Sequence, residues 1–263
     1  MADEDEDSDI ALLLLSTLHD DGDEAGEEAT QDDAAAQWTA NQQHYLLRSV
    51  GDTIVIRQLP SRGLSFQLWP AASSLVSLLD RNPSALLLPT PPSPSPLRIL
   101  ELGCGTGLVG IAAAAILGAH VTLTDLPHVL PNVRFNADSN APALAPRGGS
   151  LDVRPLSWGD RHAGGSLDGS VFDVVMASDV VYHEHLLDPL VQTLEVFVRG
   201  EVAFLMAHLR RWKKRDSVFF RKARKLFDVA VLHTDPPLPG CRNGVTIYRF
   251  TAKKRAPIAL TET

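Results

Sequence analysis

Gly103-Cys104-Gly105-Thr106-Gly107, with Asp125 at the end of the apolar segment that follows, is the part of this sequence best equipped for chemistry. Glycines lack Cβ, so a chain rich in them turns tightly and lets a ligand lie against its backbone. A carboxylate at the end of the next strand can hold a ribose diol. Together they imply a cofactor that contains a nucleoside. Gly105-x-Gly107-x-x-Gly110, with an acid twenty residues on, also fits the dinucleotide fingerprint. On pattern alone, NAD and a nicotinamide-dependent oxidoreductase stay open.

Glu101 separates the two readings. It is expected at the mouth of the first strand, where its charge would repel a pyrophosphate. The same charge would suit S-adenosylmethionine, which has no phosphate and carries an ammonium and a sulfonium. A catalytically silent binding module that keeps the fold is a third reading.

The elements that must position these residues read outward from the glycine run. Leu97 to Leu102 is a short apolar strand, Leu108 to Leu117 an alanine-rich helix, and His120 to Thr124 a second strand ending at Asp125. A parallel strand pair with a crossover helix puts the glycines and Asp125 on the same sheet edge. Further strands are expected at Ser150 to Leu156, Val171 to Ser178 and Val202 to His208. Helices are expected from about His128 to Asp138, His185 to Val198 and Asp216 to Phe227. Val229 to Thr234 and Gly244 to Thr251 are separated by a connection too short for a crossover helix, so they form an antiparallel hairpin. Upstream, the segments around Gly51-Asp52 read as a hairpin, and Pro70 opens a helix through Leu79.

The fold class is therefore α/β: a doubly wound, mostly parallel seven-stranded sheet with a C-terminal antiparallel hairpin and an N-terminal β-hairpin extension. The expected divisions are an acidic disordered tail over 1–36 and a hairpin, helix and proline-rich loop over 37–96. A cofactor-binding core follows over 97–252, with a flexible tail over 253–263.

Charge is unevenly spread. The 263 residues carry a formal net charge of -8, but the first 33 hold 14 Asp or Glu and no Lys or Arg. The rest has 18 acids against 24 bases and is mildly basic. Two cysteines, Cys104 and Cys241, one of them in the glycine run, argue against a structural disulfide and for a reducing compartment. No apolar run approaches the roughly 20 residues of a membrane span. A cytoplasmic protein is expected, with the nucleus as a further location.

Glu101-Leu102-Gly103-Cys104-Gly105-Thr106-Gly107-Leu108, Asp125 and Ala177-Ser178-Asp179-Val180-Val181-Tyr182, with Leu68-Trp69-Pro70-Ala71-Ala72 upstream and Trp158-Gly159 after the third strand, form a recognisable combination. In that order they resemble the seven-β-strand S-adenosylmethionine-dependent methyltransferases. More narrowly they resemble family 16, protein-lysine methyltransferases whose substrates include chaperones, an ATPase (valosin-containing protein), translation elongation factors and calmodulin. The resemblance covers about Gln43 to Thr251. It implies that Trp69 closes over the methionine end of the cofactor and that Gly103, Cys104 and Gly105 pass under it. It further implies that Asp125 holds the ribose hydroxyls, Trp158 lies beside the adenine and Ala177 is the small residue at the fourth-strand edge. Tryptophan offers a broad apolar face for a purine.

Asp179 and Tyr182 are assigned to the acceptor amine. A carboxylate and an aromatic face both favour an approaching cation. A lysine amine is mostly protonated at neutral pH and must lose a proton before attack. Whether Asp179 takes that proton or passes it to water stays open at this level. An alternative for Asp179 is a helix cap.

Three other signals lead elsewhere. His183-Glu184-His185 resembles a metal motif, but alternate residues diverge on a helix and no further Cys or His clusters nearby, so no metal is expected. The basic run from Arg210 to Lys225 reads as a solvated helix face or a contact for the protein substrate; the acidic tail folding back on it is a speculative alternative. Nucleic-acid methylation fits poorly. Ser-Asp-Val-Val-Tyr stands where an Asn or Asp followed by Pro-Pro-Tyr would be expected, and neither cysteine is placed as a nucleophile.

Overall fold

Strict alternation along the central strands sends side chains to two separate cores. Ile99, Val121, Leu123, Val174, Met176, Leu205 and Ile247 point to one. Leu100, Leu102, Val175, Ala177, Phe204, Met206 and Phe250 point to the other. Successive strand residues face opposite ways, so a strand with two apolar faces must be covered on both. The computed structural model describes residues 41–83, 96–160, 167, 171–237 and 242–253. The two expected tails apart from Lys253, the Pro89 to Pro96 loop apart from Pro96, and Cys241 lie outside the described residues.

The elements are β1 (Gln42–Leu47), β2 (Asp52–Arg57), α1 (Pro70–Arg81), β3 (Arg98–Leu102), α2 (Leu108–Leu117), β4 (His120–Asp125), α3 (Leu130–Ser139), β5 (Ser150–Pro155), β6 (Val174–Ser178), α4 (Leu187–Phe197), β7 (Ala203–Leu209), α5 (Lys213–Leu226), β8 (Phe227–Thr234) and β9 (Val245–Ala252). The main sheet has the order β5-β4-β3-β6-β7-β9-β8. Pairings from β5 to β7 are parallel, while β9 runs antiparallel to both β7 and β8. The chain leaves β3 in one direction to β4 and β5, then returns to β6 on its other side. That reversal opens a crevice at the carboxyl ends of β3 and β6, where open α/β sheets take ligands.

β1 and β2 form a separate antiparallel ribbon. Ile54 and Ile56 are fully buried in the core shared with α1 and α2. The outer edge of β2 is capped by side chains instead of another strand. Asn136 and Asn140 lie four residues apart, and so on one side of α3 and its end. Their Oδ1 atoms accept the backbone N–H groups of Arg57 at 2.9 Å and Val55 at 2.8 Å. Asn132, one turn earlier, accepts the Arg57 Nε–H at 2.8 Å.

The fourth core strand starts at Val174, not at Val171. Val171 is 68% exposed, and the Asp173 carboxylate accepts the Arg98 N–H at 2.8 Å. The apolar residue therefore precedes the sheet. Helix α5 begins at Lys213, three residues before its expected start, so Asp216 falls within the first turn and points inward.

Candidate functional site

Gly103 follows β3 directly. Its φ of 61° belongs to the left-handed region, and a Cβ there would lie 2.8 Å from the Trp158 ring. Glycine is required on both counts. The indole of Trp158, from the loop after β5, thus lies flush against the first residue of the glycine run. At Gly105 a Cβ would come within 3.3 Å of the Ser65 carbonyl, because the helical turn Leu64–Phe66 covers the run from above. Ser65 was not among the residues singled out from sequence. Asn136 fastens the run from the side by donating from Nδ2 to the Thr106 carbonyl at 2.9 Å.

Asp125 ends β4 under the same run. Its Oδ2 accepts the Gly105 N–H and its Oδ1 the Leu126 N–H, both at 2.8 Å. Burial raises its pKa, and the two N–H donors oppose that rise. Each carboxylate oxygen keeps a lone pair for a further donor such as a hydroxyl. Cys104 is a buried free thiol; burial pushes it up, and the nearby Asp125 and Glu101 carboxylates push it further. It is not a nucleophile at neutral pH.

Glu101 departs from expectation. Its carboxylate is not at the strand mouth but beneath the glycine run, 1% exposed, where Oε2 accepts the Gly110 N–H at 2.8 Å. The cause is β alternation: position 101 faces α2, and Gly110 on that helix leaves room for an acid. Burial lifts its pKa to about 8; the Gly110 N–H lowers it and the Asp125 charge adds to the rise. At neutral pH it is mostly uncharged. The argument from its charge against a pyrophosphate therefore loses its basis.

Beyond β6 the backbone turns at Asp179. Among the described residues it is the one non-glycine with positive φ, at 54°. Aspartate tolerates this region better than most residues. Its side chain does not cap a helix. Oδ1 accepts the Leu209 N–H at 3.0 Å, and Oδ2 accepts from Arg211 Nη2 at 3.0 Å. Burial alone would raise its pKa, but the facing His208 and the Arg211 guanidinium outweigh it and hold the carboxyl below its ordinary range. Arg211 also lies over the Trp69 ring, 5.3 Å from its centroid. Trp69, at the start of α1, donates its indole N–H to the Leu64 carbonyl at 3.0 Å. Asp179, Arg211, Trp69 and the Leu64–Phe66 turn therefore form one continuous wall.

Tyr182 is half-buried, and its carbonyl accepts from Arg215 Nη1 at 2.8 Å. Burial raises its hydroxyl pKa, with a further rise from the Asp125 charge. Ala177 is fully buried at the β6 end. The rings of His183 and His185 stack at 5.3 Å, but among the described residues no group of three His, Cys, Asp or Glu could hold a metal.

The basic run divides. Lys213, Arg221, Arg224 and Lys225 are exposed. Arg211 and Arg215 turn inward to Asp179 and the Tyr182 carbonyl. His208 and Asp216, fully buried beside Asp179, were missed by sequence reasoning. Their spacing across a strand end and a helix start matches no periodicity. Among the described residues no helix is long and apolar enough to cross a membrane.

A family model described as lysine methyltransferase matches residues 49–226. Protein N-lysine methyltransferase METTL21A of Danio rerio is 32% identical over 195 residues, 73% of this chain and 79% of that protein. EEF1A lysine methyltransferase 3 of Mus musculus is 30% identical over 197 residues, 74% of this chain and 75% of that protein. The solved delta-N METTL16 MTase domain superposes with a TM-score of 0.54 at 11% identity, over 86% of this chain and 100% of that one. At that identity the likeness concerns the fold alone.

Proposed function

This chain belongs to the lysine methyltransferase family, and from that premise we propose how its carboxyl rim serves the reaction. The protein is a protein-lysine N-methyltransferase acting on a protein substrate. Its family and fold are those of enzymes that use S-adenosylmethionine.

The rim fits that cofactor on its own chemistry. Gly103 and Gly105 present backbone with no side chain in the way, and Asp125 has lone pairs for two ribose hydroxyls. Trp158 offers a flat face beside the glycine run for an adenine. Cys104 and the fully buried Ala177 are small residues beneath the same rim, and Trp69 closes it over the methionine end. Glu101 supports this bed from below by holding Gly110. When bound, the cofactor supplies an electrophilic methyl group on a sulfonium.

The chain's own part is to position the amine and manage charge. Asp179 and Tyr182 wall the acceptor side. Asp179 is held well ionised, so it attracts a cationic lysine side chain but is a weak base. The amine's proton is therefore passed to water, and Asp179 stays an anion while positive charge moves from sulfur to nitrogen. Tyr182 narrows the slot and offers a ring face to the cation.

The observation that carries this reading is the packing of Trp158 on Gly103 with Asp125 bonded to Gly105, at the same sheet edge as Asp179. S-adenosylhomocysteine titrated into the protein should give heat and a raised melting temperature, and NAD should give neither. Labelled-methyl transfer into lysate proteins, with the site mapped by mass spectrometry, should find methylated lysine. Asp179→Ala should abolish transfer while cofactor still binds. Binding of NAD alone, or label on another residue type, would sink the reading.

A translation elongation factor is the first substrate to try, given the name of the mouse relative; a chaperone or an ATPase comes next. A cytoplasmic location, with the nucleus as a further one, belongs to the same reading, and fractionation would check it.

A further inference from the structure

Behind Asp179 lies a buried charge cluster that the acceptor site does not explain. His208, at the end of β7, is fully buried. Its Nε2 pairs with Asp216 Oδ1 of α5 at 2.9 Å, and its Nδ1 faces Asp179 Oδ1 at 3.7 Å. Asp216 is fully buried as well. Its second oxygen, Oδ2, lacks a hydrogen bond and lies 3.6 Å from the half-exposed Arg210 Nε. Arg211 takes the far oxygen of Asp179. Phe220 packs near the imidazole, 6.4 Å between centroids. The groups facing His208 are therefore two carboxylates, two guanidinium groups at their outer oxygens, and an apolar ring.

Charge counting favours a protonated imidazole. The inner members are His208 and Asp216, both fully buried, with Asp179 and Arg211, both partly buried. A neutral imidazole leaves this set with one negative charge that only the half-exposed, solvent-screened Arg210 offsets, 3.6 Å from Asp216. An imidazolium makes the set neutral. It also gives both ring nitrogens an N–H to direct at a carboxylate. Burial alone would favour the neutral ring, but the two aspartates outweigh it and raise the His208 pKa.

We propose that His208 is a positioning residue for methyl transfer: seated on Asp216, it fixes the Asp179 carboxylate at the acceptor edge. Asp216 in turn ties that geometry to the first turn of α5, the helix whose Arg215 holds the Tyr182 carbonyl. Both acceptor residues are thus braced from one helix. No proton moves through His208; at 3.7 Å its Nδ1 is an ion-pair partner, too far for a hydrogen bond. This inference rests on the reading that Asp179 faces the acceptor amine.

The test uses the full chain labelled with nitrogen-15 and the variants Asp216→Asn, His208→Gln and Asp179→Asn. Ring-nitrogen spectra, with the His208 signal assigned by its loss in His208→Gln, should show a doubly protonated imidazole at pH 7. In Asp216→Asn the same signal should titrate at lower pH. Labelled-methyl transfer into lysate proteins by Asp216→Asn should slow about tenfold, one pKa unit's worth of charge stabilisation. Its alkaline limb should move to lower pH, and affinity for S-adenosylhomocysteine should stay within about twofold. A packing defect alone would not move that limb.

A neutral wild-type imidazole at pH 7 overturns the inference even where a variant fails to fold. So does an Asp216→Asn enzyme with the wild-type rate and pH profile when Asp179→Asn is inactive. Full transfer by Asp179→Asn instead overturns the acceptor reading, and this inference with it.

Discussion

The backbone N–H of Gly110 donates to Oε2 of Glu101 at 2.8 Å, and a Cβ on Gly110 would stand 2.5 Å from that oxygen. The helix after the glycine run can approach β3 only because position 110 carries no side chain. Gly110→Ala would collide with Glu101 and with the Leu123 side chain on β4. The helix must shift or the buried acid must lose its donor. Overpacking of this kind costs about 1–3 kcal/mol. In a domain of this size that corresponds to a drop of roughly 2–12 °C in melting temperature. Calorimetry should show that drop, and titration should show weaker S-adenosylhomocysteine binding. An unchanged melting temperature would mean that the contact relaxes freely.

Glu101 itself gives a pH signature. Its ordinary pKa is 4.5, and burial raises it to about 8 in the folded protein. Between those values the folded state holds a proton that the unfolded chain has lost, so its contribution to stability falls as pH rises through the window. Glu101→Gln keeps an oxygen for Gly110 and cannot ionise. The melting temperature of wild type should fall relative to Glu101→Gln from about pH 4.5 to about pH 8, then run parallel above it. Parallel curves throughout would show that Glu101 titrates normally.

Much of this arrangement is local, and local patterns are what a sequence displays. α2 runs from Leu108 to Leu117 as its alanines and leucines imply. The hairpin at Gly51-Asp52 and the antiparallel pairing of β8 with β9 follow from turn chemistry and a short connection. The chain order of Gly103, Asp125, Trp158 and Asp179 along one sheet edge follows from the alternation of strands and helices. What stayed hidden depends on which face a residue takes. The position of Glu101 near the strand end is legible and its facing is not, and Gly110 is the one local mark of where the acid points. His208 and Asp216 meet because α5 starts one turn early, and nothing in Leu209 to Lys214 marks that start. The asparagines at 132, 136 and 140 do carry a readable four-residue spacing, but a polar row on a helix looks the same whether it meets solvent or a strand edge.

That asparagine row links the N-terminal ribbon to the glycine run. Asn136 accepts from the Arg57 N–H and donates to both the Arg57 and Thr106 carbonyls. Replacing it with leucine removes all three bonds, of which the one to the Thr106 carbonyl is buried, while the Arg57 carbonyl keeps Asn132 Nδ2 at 3.4 Å. An unsatisfied buried group costs about 1–3 kcal/mol. Asn136→Leu should lower stability by at least that much. Amide exchange should quicken at Val55 and Arg57 and in the loop from Gly105 to Gly107, and S-adenosylhomocysteine affinity should fall. Faster exchange at β2 alone would show that the ribbon and the loop are not coupled.

Trp158 distinguishes a binding face from a packing residue. Its ring is half-buried and rests on Gly103, where no side chain competes for the space. A core tryptophan replaced by alanine costs stability whether or not ligand is present, by about 3–5 kcal/mol when fully buried. A stacking surface costs binding instead, by about 1–3 kcal/mol per base, or roughly ten- to a hundredfold in affinity. Because the indole lies at the rim with part of its face open, Trp158→Ala should fall in the second class. S-adenosylhomocysteine affinity should drop by that factor while the melting temperature of the free protein changes by no more than a few degrees. Trp158→Phe should recover most of the affinity, since a smaller aromatic face still stacks. A variant that loses stability and keeps its affinity would take Trp158 out of the binding site and leave it as cover for the glycine run.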